Sequence, residues 1–299
     1  MKTSRRLFIK QSAAMAAGTT LLSTKLLGLG AKSTLVGVQL YSVRDQMKSD
    51  PLGTLKQVAS MGYKHVEHAN YIDRKFYGYS AKEFLKILKD LGLKMPSGHT
   101  VMTSKHYDAD KKDFTDAWKY TVEDAATLGQ QFVISPWLEE GLRKNADDLK
   151  RYMEVFNKCG ELCRKSGMKF GYHNHDFEFS QKFGDETVYD IILKNTDPNL
   201  VIQQLDIGNL YSGGATAMEV VKKFPGRFTS LHVKDEIVAN GKHESTILGT
   251  GIVDVKGVID LCKANGSLHF IVEQEAYQGK APIDCIKEDL VQLSKWGYK

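Results

Sequence analysis

The sequence predicts a single (β/α)8 barrel, and three observations carry that prediction. From Ser33 onward, short β-rich apolar runs alternate with helix-periodic stretches in one rhythm. Eight such pairs fit into roughly 265 residues, which is the count and size of a closed barrel. No glycine-rich phosphate loop follows Leu40, where a doubly wound open sheet would carry one.

Taken in order, the apolar runs predict strands over residues 35–40, 65–67, 94–97, 132–135, 169–173, 201–206, 228–233 and 270–273. Between and after them, 3.6-residue periodicity predicts helices over 53–61, 81–91, 114–128, 146–166, 188–195, 217–224, 255–264 and 283–295. Several helices stop at a glycine just before the next strand, as in Met61-Gly62-Tyr63, Leu91-Gly92-Leu93 and Ser166-Gly167-Met168. Glycine takes the left-handed conformation of a helix C-cap cheaply, so this spacing marks the helix ends. No linker, repeat or change of composition interrupts the pattern, and one domain over residues 33–299 is expected.

Residues 1–32 read as an address. Thr3-Ser4-Arg5-Arg6-Leu7-Phe8-Ile9-Lys10 resembles a twin-arginine export motif, and an apolar, small-residue stretch follows from Ala13 to about Leu29. The expected location is therefore periplasmic or otherwise exported. No later stretch is apolar enough to span a bilayer, and no cysteine follows the apolar stretch closely, so no stable membrane anchor is expected.

The chain has 299 residues and a formal net charge of +5. Lys2, Arg5, Arg6 and Lys10 stand without an acid in the first ten residues, and the remainder is close to neutral. No basic run interleaved with aromatics appears, which argues against a nucleic-acid partner. Cys159, Cys163, Cys262 and Cys285 are an even set, but Cys159 and Cys163 are four apart on one helix face. Side chains so placed seldom meet disulfide geometry, and free buried thiols are expected.

Function is to be read at the C-terminal tips of the strands, where barrel enzymes keep their active sites. Strand two ends Val66-Glu67-His68, and His99 follows strand three. Strand five ends His173-Asn174-His175-Asp176-Phe177-Glu178. Strand six ends at Asp206, strand seven at His232-Val233-Lys234, and strand eight at Glu273-Gln274-Glu275. Each residue alone has an ordinary explanation, an N-cap or a hydrogen-bonded histidine. Together, carboxylates and imidazoles converging on one mouth need a cation or a substrate to pair them. Two histidines with two carboxylates, here His173, Asp206, His232 and Glu273, suit a divalent transition metal better than Ca²⁺.

These tips, with Leu248-Gly249-Thr250-Gly251 and Asp254 after strand seven, resemble the sugar phosphate isomerase/epimerase family of xylose isomerase-like barrels. The likeness runs from Gly37 to Trp296. It implies one divalent metal, Mn²⁺ or Zn²⁺ ahead of Co²⁺ or Mg²⁺, held by residues from strands five to eight. Asp206, His232 and Glu273 fill the last three places. The family commonly has Glu-Asn-His at the first place, and this chain has His173-Asn174-His175. That exchange removes one of two glutamates that, in the epimerases, move protons on opposite faces of a keto-sugar. Glu178 or Glu67 is a candidate replacement. Glu273 is expected as ligand in preference to Glu275, because it lies closer to the apolar run.

The resemblance implies an isomerase or epimerase acting on a sugar or keto-sugar through an enediolate. Glu273, His175 and Glu178 are candidate proton carriers and Lys234 a candidate oxyanion contact. Glu67, His99 and Glu275 would face substrate, and Tyr41, Trp137 and Tyr211 would stack on a sugar. A lyase or dehydratase on keto-sugars or 3-keto-glycosides is the alternative, and a non-catalytic sugar-binding barrel is a third. An endonuclease-like relative of the same fold would need more ligands and a basic groove. The resemblance also implies a homodimer as a possible assembly.

Overall fold

A computed structural model describes residues 34–298 of the chain. The expected export segment, residues 1–32, lies outside the described residues. Eight parallel strands close into a barrel: β1 (Leu35–Gln39), β2 (His65–His68), β3 (Lys94–His99), β4 (Phe132–Ser135), β5 (Lys169–His173), β6 (Val201–Asp206), β7 (Phe228–Val233) and β8 (His269–Val272). Each strand pairs with its neighbours in sequence, and β8 closes the ring on β1 with Leu35 opposite His269. The helices α1 (Pro51–Met61), α2 (Ala81–Asp90), α3 (Asp116–Leu128), α4 (Ala146–Arg164), α5 (Val188–Asn195), α6 (Ala217–Lys223), α7 (Val255–Ala264) and α8 (Pro282–Lys295) alternate with them.

The helix starts have local causes. Asp50 caps α1 by accepting from the Gly53 N–H at 2.9 Å, and Pro51 sits in the first turn, where its missing N–H costs nothing. Ser80 with Glu83, and Thr187 with Asp190, form reciprocal capping boxes on α2 and α5. Helix α3 starts two residues later than its periodicity suggests, because Asp113–Phe114 pairs with Tyr107–Asp108 in a small ribbon.

The barrel interior is layered by the two-residue period of a strand. Along β6, Val201 and Leu205 belong to the two large apolar clusters beneath the helices, whereas Ile202 packs with Phe132 and Ile134 in a small cluster of its own. Gly171 leaves room there, since a Cβ at that position would lie 2.9 Å from Ile134 and 3.1 Å from Ile202. Continuing upward on the same face, Gln204 and Asp206 are fully buried and polar. Apolar plug, polar layer and ligand-type residues thus succeed one another toward the C-terminal mouth.

The mouth carries features the periodicity does not reveal. A three-stranded ribbon over residues 71–80 and a hairpin over 235–246 rise from it. Their strands are mostly two to five residues long, too short for a repeating pattern to register. All four cysteines are buried and free, as their spacing implied. Among the described residues, no helix is long and apolar enough to cross a membrane.

Candidate metal centre and active site

Four strand tips bring His173, Asp206, His232 and Glu273 together, with one ligand-type atom from each lying within 4.8 Å of the others. The backbone explains the arrangement. Asn174 accepts from the Asp206 N–H at 2.9 Å and donates to the Asp206 carbonyl at 3.2 Å, which ties the tip of β5 to the tip of β6. Asp206 Oδ1 accepts from the N–H groups of Gly208 and Asn209, both at 2.8 Å. Oδ2 is left to face His173 Nε2 and His232 Nδ1, each at 4.0 Å.

Beneath this group lies Glu67 on β2, fully buried. Gln39 donates to Oε1 at 2.8 Å, Gln204 donates to Oε2 at 2.9 Å, and Ser97 donates to Oε2 as well. His232 Nε2 lies 2.6 Å and His99 Nε2 3.1 Å from Oε1. Burial would raise the Glu67 pKa, but the charges and hydrogen bonds of His99 and His232 together hold it well below the usual carboxylate range. The other face of His232 meets Glu273, with Nδ1 3.0 Å from Oε2. Burial works against a charge on that ring; Glu273 and Glu67 outweigh it and push the pKa up to about 10. His173 is the opposite case. Burial first, then the neighbouring His232, His99 and His175, keep it well below its ordinary value and therefore neutral, as a ligand must be.

Lys234, a candidate oxyanion contact from sequence, sits instead among the ligand-type residues and lines no part of the cavity. It is fully buried, and its Nζ donates to Glu275 Oε2 at 2.8 Å and Asn209 Oδ1 at 3.0 Å. The same Nζ is 3.0 Å from Asp206 Oδ2 and from Glu273 Oε2. Burial would strip its proton, but Asp206, Glu273 and Glu275 keep it charged. Gly208 makes the approach possible: a Cβ there would stand 2.8 Å and 2.9 Å from the lysine stem. The next residue, Asp235, accepts from the N–H groups of Glu236, Gly249, Gly251 and Val253 at 2.8–3.1 Å. A side chain at Gly251 would collide with Asp235 Oδ1 at 2.3 Å. The Leu248-Gly249-Thr250-Gly251 motif is thus a backbone clamp that fixes the end of β7.

The residues fit a divalent cation. Asp206 Oδ2 and His173 Nδ1 are buried without a directed hydrogen bond, the Lys234 ammonium notwithstanding. A neutral imidazole, a second imidazole braced from behind by a carboxylate, and two carboxylates are a ligand set for Zn²⁺ or Mn²⁺.

A cavity of about 1020 Å³ opens above this floor. His99, His173, His175, Asn209, Glu273 and Glu275 line its depth, and Tyr41, Tyr71, Ile72, Val101, Tyr120 and Trp137 line its rim. His99 and Glu275, expected to face substrate, and His175, a candidate proton carrier, therefore all line the cavity. His175 packs against Trp137 with ring centroids 5.1 Å apart, and burial, with Lys234 next, lowers its pKa to about 4. Two expectations need correction. Glu67, expected to face substrate, lies under the floor with both oxygens engaged. Glu178, a candidate proton carrier, is fully buried and lines no part of the cavity. It accepts from Tyr172 and from the His175 N–H at 2.9 Å, and burial raises its pKa to about 7. Tyr211 also misses the cavity and packs toward His243, whereas Tyr41 and Trp137 reach it. Gln39, Ser97, Gln204 and Asn209 were not singled out from sequence. For Gln204 a signal existed, since it stands two residues before Asp206 on the same strand face.

Comparison with known proteins agrees with this architecture. A family model described as a xylose isomerase-like TIM barrel matches residues 55–295. A sugar phosphate isomerase/epimerase from Parabacteroides distasonis ATCC 8503 superposes with a TM-score of 0.75 at 28% identity, covering 88% of this chain and 98% of that one. An inosose dehydratase of Clostridium botulinum (strain Alaska E43 / Type E3) is 26% identical over 239 residues, 71% of this chain and 77% of the relative. At the level of fold alone, the structure of IOLI protein with a binding zinc atom matches with a TM-score of 0.68 at 16% identity, covering 89% and 99% of the two chains.

Proposed function

From the premise that this chain belongs to the family of xylose isomerase-like TIM barrels, we propose that it is a divalent-metal-dependent enzyme that removes a proton alpha to the carbonyl of a keto-sugar. The observation that carries this reading is the four-residue ligand set opening, through His173 and Glu273, onto a cavity that His99, His175 and Glu275 also line. The relative whose structure holds zinc supports a metal of that kind. Such an ion would polarise the sugar carbonyl and lower the cost of the negative charge left when the proton departs.

The chain's own groups supply the rest. Glu273 is a carboxylate at the cavity wall, kept ionised because Lys234 and His232 outweigh its burial, and it is the proposed acceptor of the alpha proton. Lys234 holds Glu273 and Asp206 in place through its 3.0 Å contacts. His175, neutral and half-buried in the same cavity lining, is placed to exchange a proton or hydrogen-bond a hydroxyl.

How the enediolate is completed separates isomerase or epimerase from lyase. A return of the proton from the opposite face would give an epimer, the activity suggested by the Parabacteroides relative. Expulsion of a neighbouring hydroxyl as water would give a dehydrated sugar, the activity suggested by the Clostridium relative. The second completion is favoured by one feature: histidine stands at 173 and Glu178 is sealed away, so the strand-five glutamate expected of an epimerase is missing from the cavity lining. Incubating a panel of keto-sugars in D₂O with added Mn²⁺ and following them by NMR tests the proposal. Deuterium should enter alpha to the carbonyl and water should be lost. An epimer without water loss selects the first completion, and a metal-loaded protein that exchanges no proton in any keto-sugar overturns the reading.

A further inference from the structure

The cavity is larger and less polar at its rim than one sugar ring requires. Its volume of about 1020 Å³ is at the top of the range that encloses a whole drug-sized ligand, about 300–1,000 Å³. The large apolar side chains left exposed on this protein are also unevenly placed. Among the described residues they are Tyr41, Ile72, Val101, Tyr120, Trp137, Val238, Ile252 and Val291, and the first five line this one cavity. Scattered exposed apolar residues need no explanation, whereas a cluster at the lip of a polar site does.

The cluster is also built at a cost. Ile72 is 62% exposed at the tip of the 71–80 ribbon. Just beyond it, Asp73 and Arg74 take positive φ angles of 50° and 63°, and Tyr77 another of 50°. Residues without a glycine's freedom hold that conformation only when their surroundings enforce it. The enforcement is visible. Arg74 donates to Asp124 at 2.9 Å and 2.7 Å and to Glu123 at 2.9 Å, while Tyr71 donates to Asp124 at 2.7 Å. The guanidinium lies 4.2 Å from the centre of the Tyr120 ring. The ribbon is thereby pinned to α3 with Ile72 held over the cavity.

We propose that this rim is a second subsite, which takes a planar apolar or aromatic group carried by the sugar that binds on the floor. The proposal rests on the keto-sugar reading for the floor and adds the class of substrate: a sugar conjugate with a hydrophobic substituent. Continuity of the cavity ties the two parts to one molecule. Exposed aliphatic side chains at Ile72 and Val101 match an apolar ring better than a second sugar, whose hydroxyls they would leave unpaired.

Unreactive probes test it on the full metal-loaded protein. Methyl β-glucoside, phenyl β-glucoside, 4-methylumbelliferyl β-glucoside and cellobiose are titrated by calorimetry. The aryl glucosides should bind at least tenfold more tightly than the methyl glucoside. Ile72→Ser, a change at an exposed position, should cut that advantage at least threefold and leave methyl glucoside affinity unchanged. Tyr120→Ala is a second variant with the same expected selectivity. Equal affinity for methyl and aryl glucosides overturns the subsite, as does a tighter fit for cellobiose, which would mark a second-sugar site. Failure of all four probes to bind overturns it too. The keto-sugar exchange experiment reads the floor separately. Exchange without an aryl advantage leaves the enzyme reading standing, and an aryl advantage without exchange removes the enzyme reading while the apolar subsite remains.

Discussion

The two halves of the barrel do different things at the same height. Strands β5 to β8 end in His173, Asp206, His232 and, just past the last strand, Glu273, groups suited to hold a cation directly. In the other half, β1 to β3 present Gln39, Glu67, Ser97 and His99, which hydrogen-bond to one another or to the first group. Above them the same half carries the apolar rim. One half supplies charge, the other supplies bracing below and shape above. The lesson is that chemistry and specificity sit on separate strands, so each is open to change without the other.

The sharpest way to break this division is Asp206→Ala, in the ligand half. Its carboxylate offers Oδ2 to the cluster and anchors Gly208 and Asn209 through Oδ1. Bound divalent metal, measured by elemental analysis after dialysis, should fall from about one equivalent to less than about a tenth. A variant that keeps its metal would show that the ion, if any, is held elsewhere.

A smaller effect is expected from Glu67→Gln in the bracing half. Glu67 is the partner that fixes the His232 ring, and losing such a partner typically costs about 10- to 100-fold in metal affinity. Competition against a chelator measures it, with circular dichroism confirming the fold. A loss as complete as that of Asp206→Ala would make Glu67 a ligand itself and would erase the boundary between the halves.

The gentlest probe is pH, which reads the coupling of the halves through His232. In the presence of chelator, the raised His232 pKa contributes stability that is complete below its unfolded value of 6.5 and is lost as pH rises through about 10. Glu67 and Glu273, both held low, contribute stability that is present above about 4.5 and lost as pH falls through their lowered values. Denaturation midpoints should therefore be highest near pH 6.5, because His173 and His175, held neutral by burial, cost stability as pH falls below that value. They should decline toward pH 10 with a slope of up to about 1.4 kcal/mol per pH unit for one proton. A flat profile from pH 6.5 to 10 would mean that His232 is not clasped between the two carboxylates.

The ligand half was the more legible in sequence, and the reason is physical. A charged residue at the end of an apolar strand contrasts with its neighbours, so His173, Asp206, His232 and Glu273 announce themselves. The strand–helix rhythm is equally plain, because burial on both faces makes each barrel strand an apolar run. The bracing half is quieter. Gln39 and Ser97, like Gln204 on β6, are uncharged residues within strands, and their meaning depends on partners such as Glu67, far away in sequence. Glu178 misled for the converse reason: it stands near the tip of β5, but a short helix over Phe177–Ser180 turns it under the floor toward Tyr172. Of the rim only Tyr41 and Trp137 were legible; the ribbon that carries Ile72 was not, because its strands are two residues long and are held by Arg74 and Asp124, not by periodicity.

Closure of the barrel between positions 35 and 269 has a consequence for when the protein becomes functional. The ring is sealed by its last strand, so a chain still under synthesis exposes β1 and β7 as open edges. Those edges invite pairing with other chains, and the contact that removes them joins the most distant parts of the sequence, the slowest kind to form. Glu273 arrives with that same strand. Truncation before it therefore yields no half-active product: the event that makes the barrel soluble and the event that completes its ligand set are one and the same.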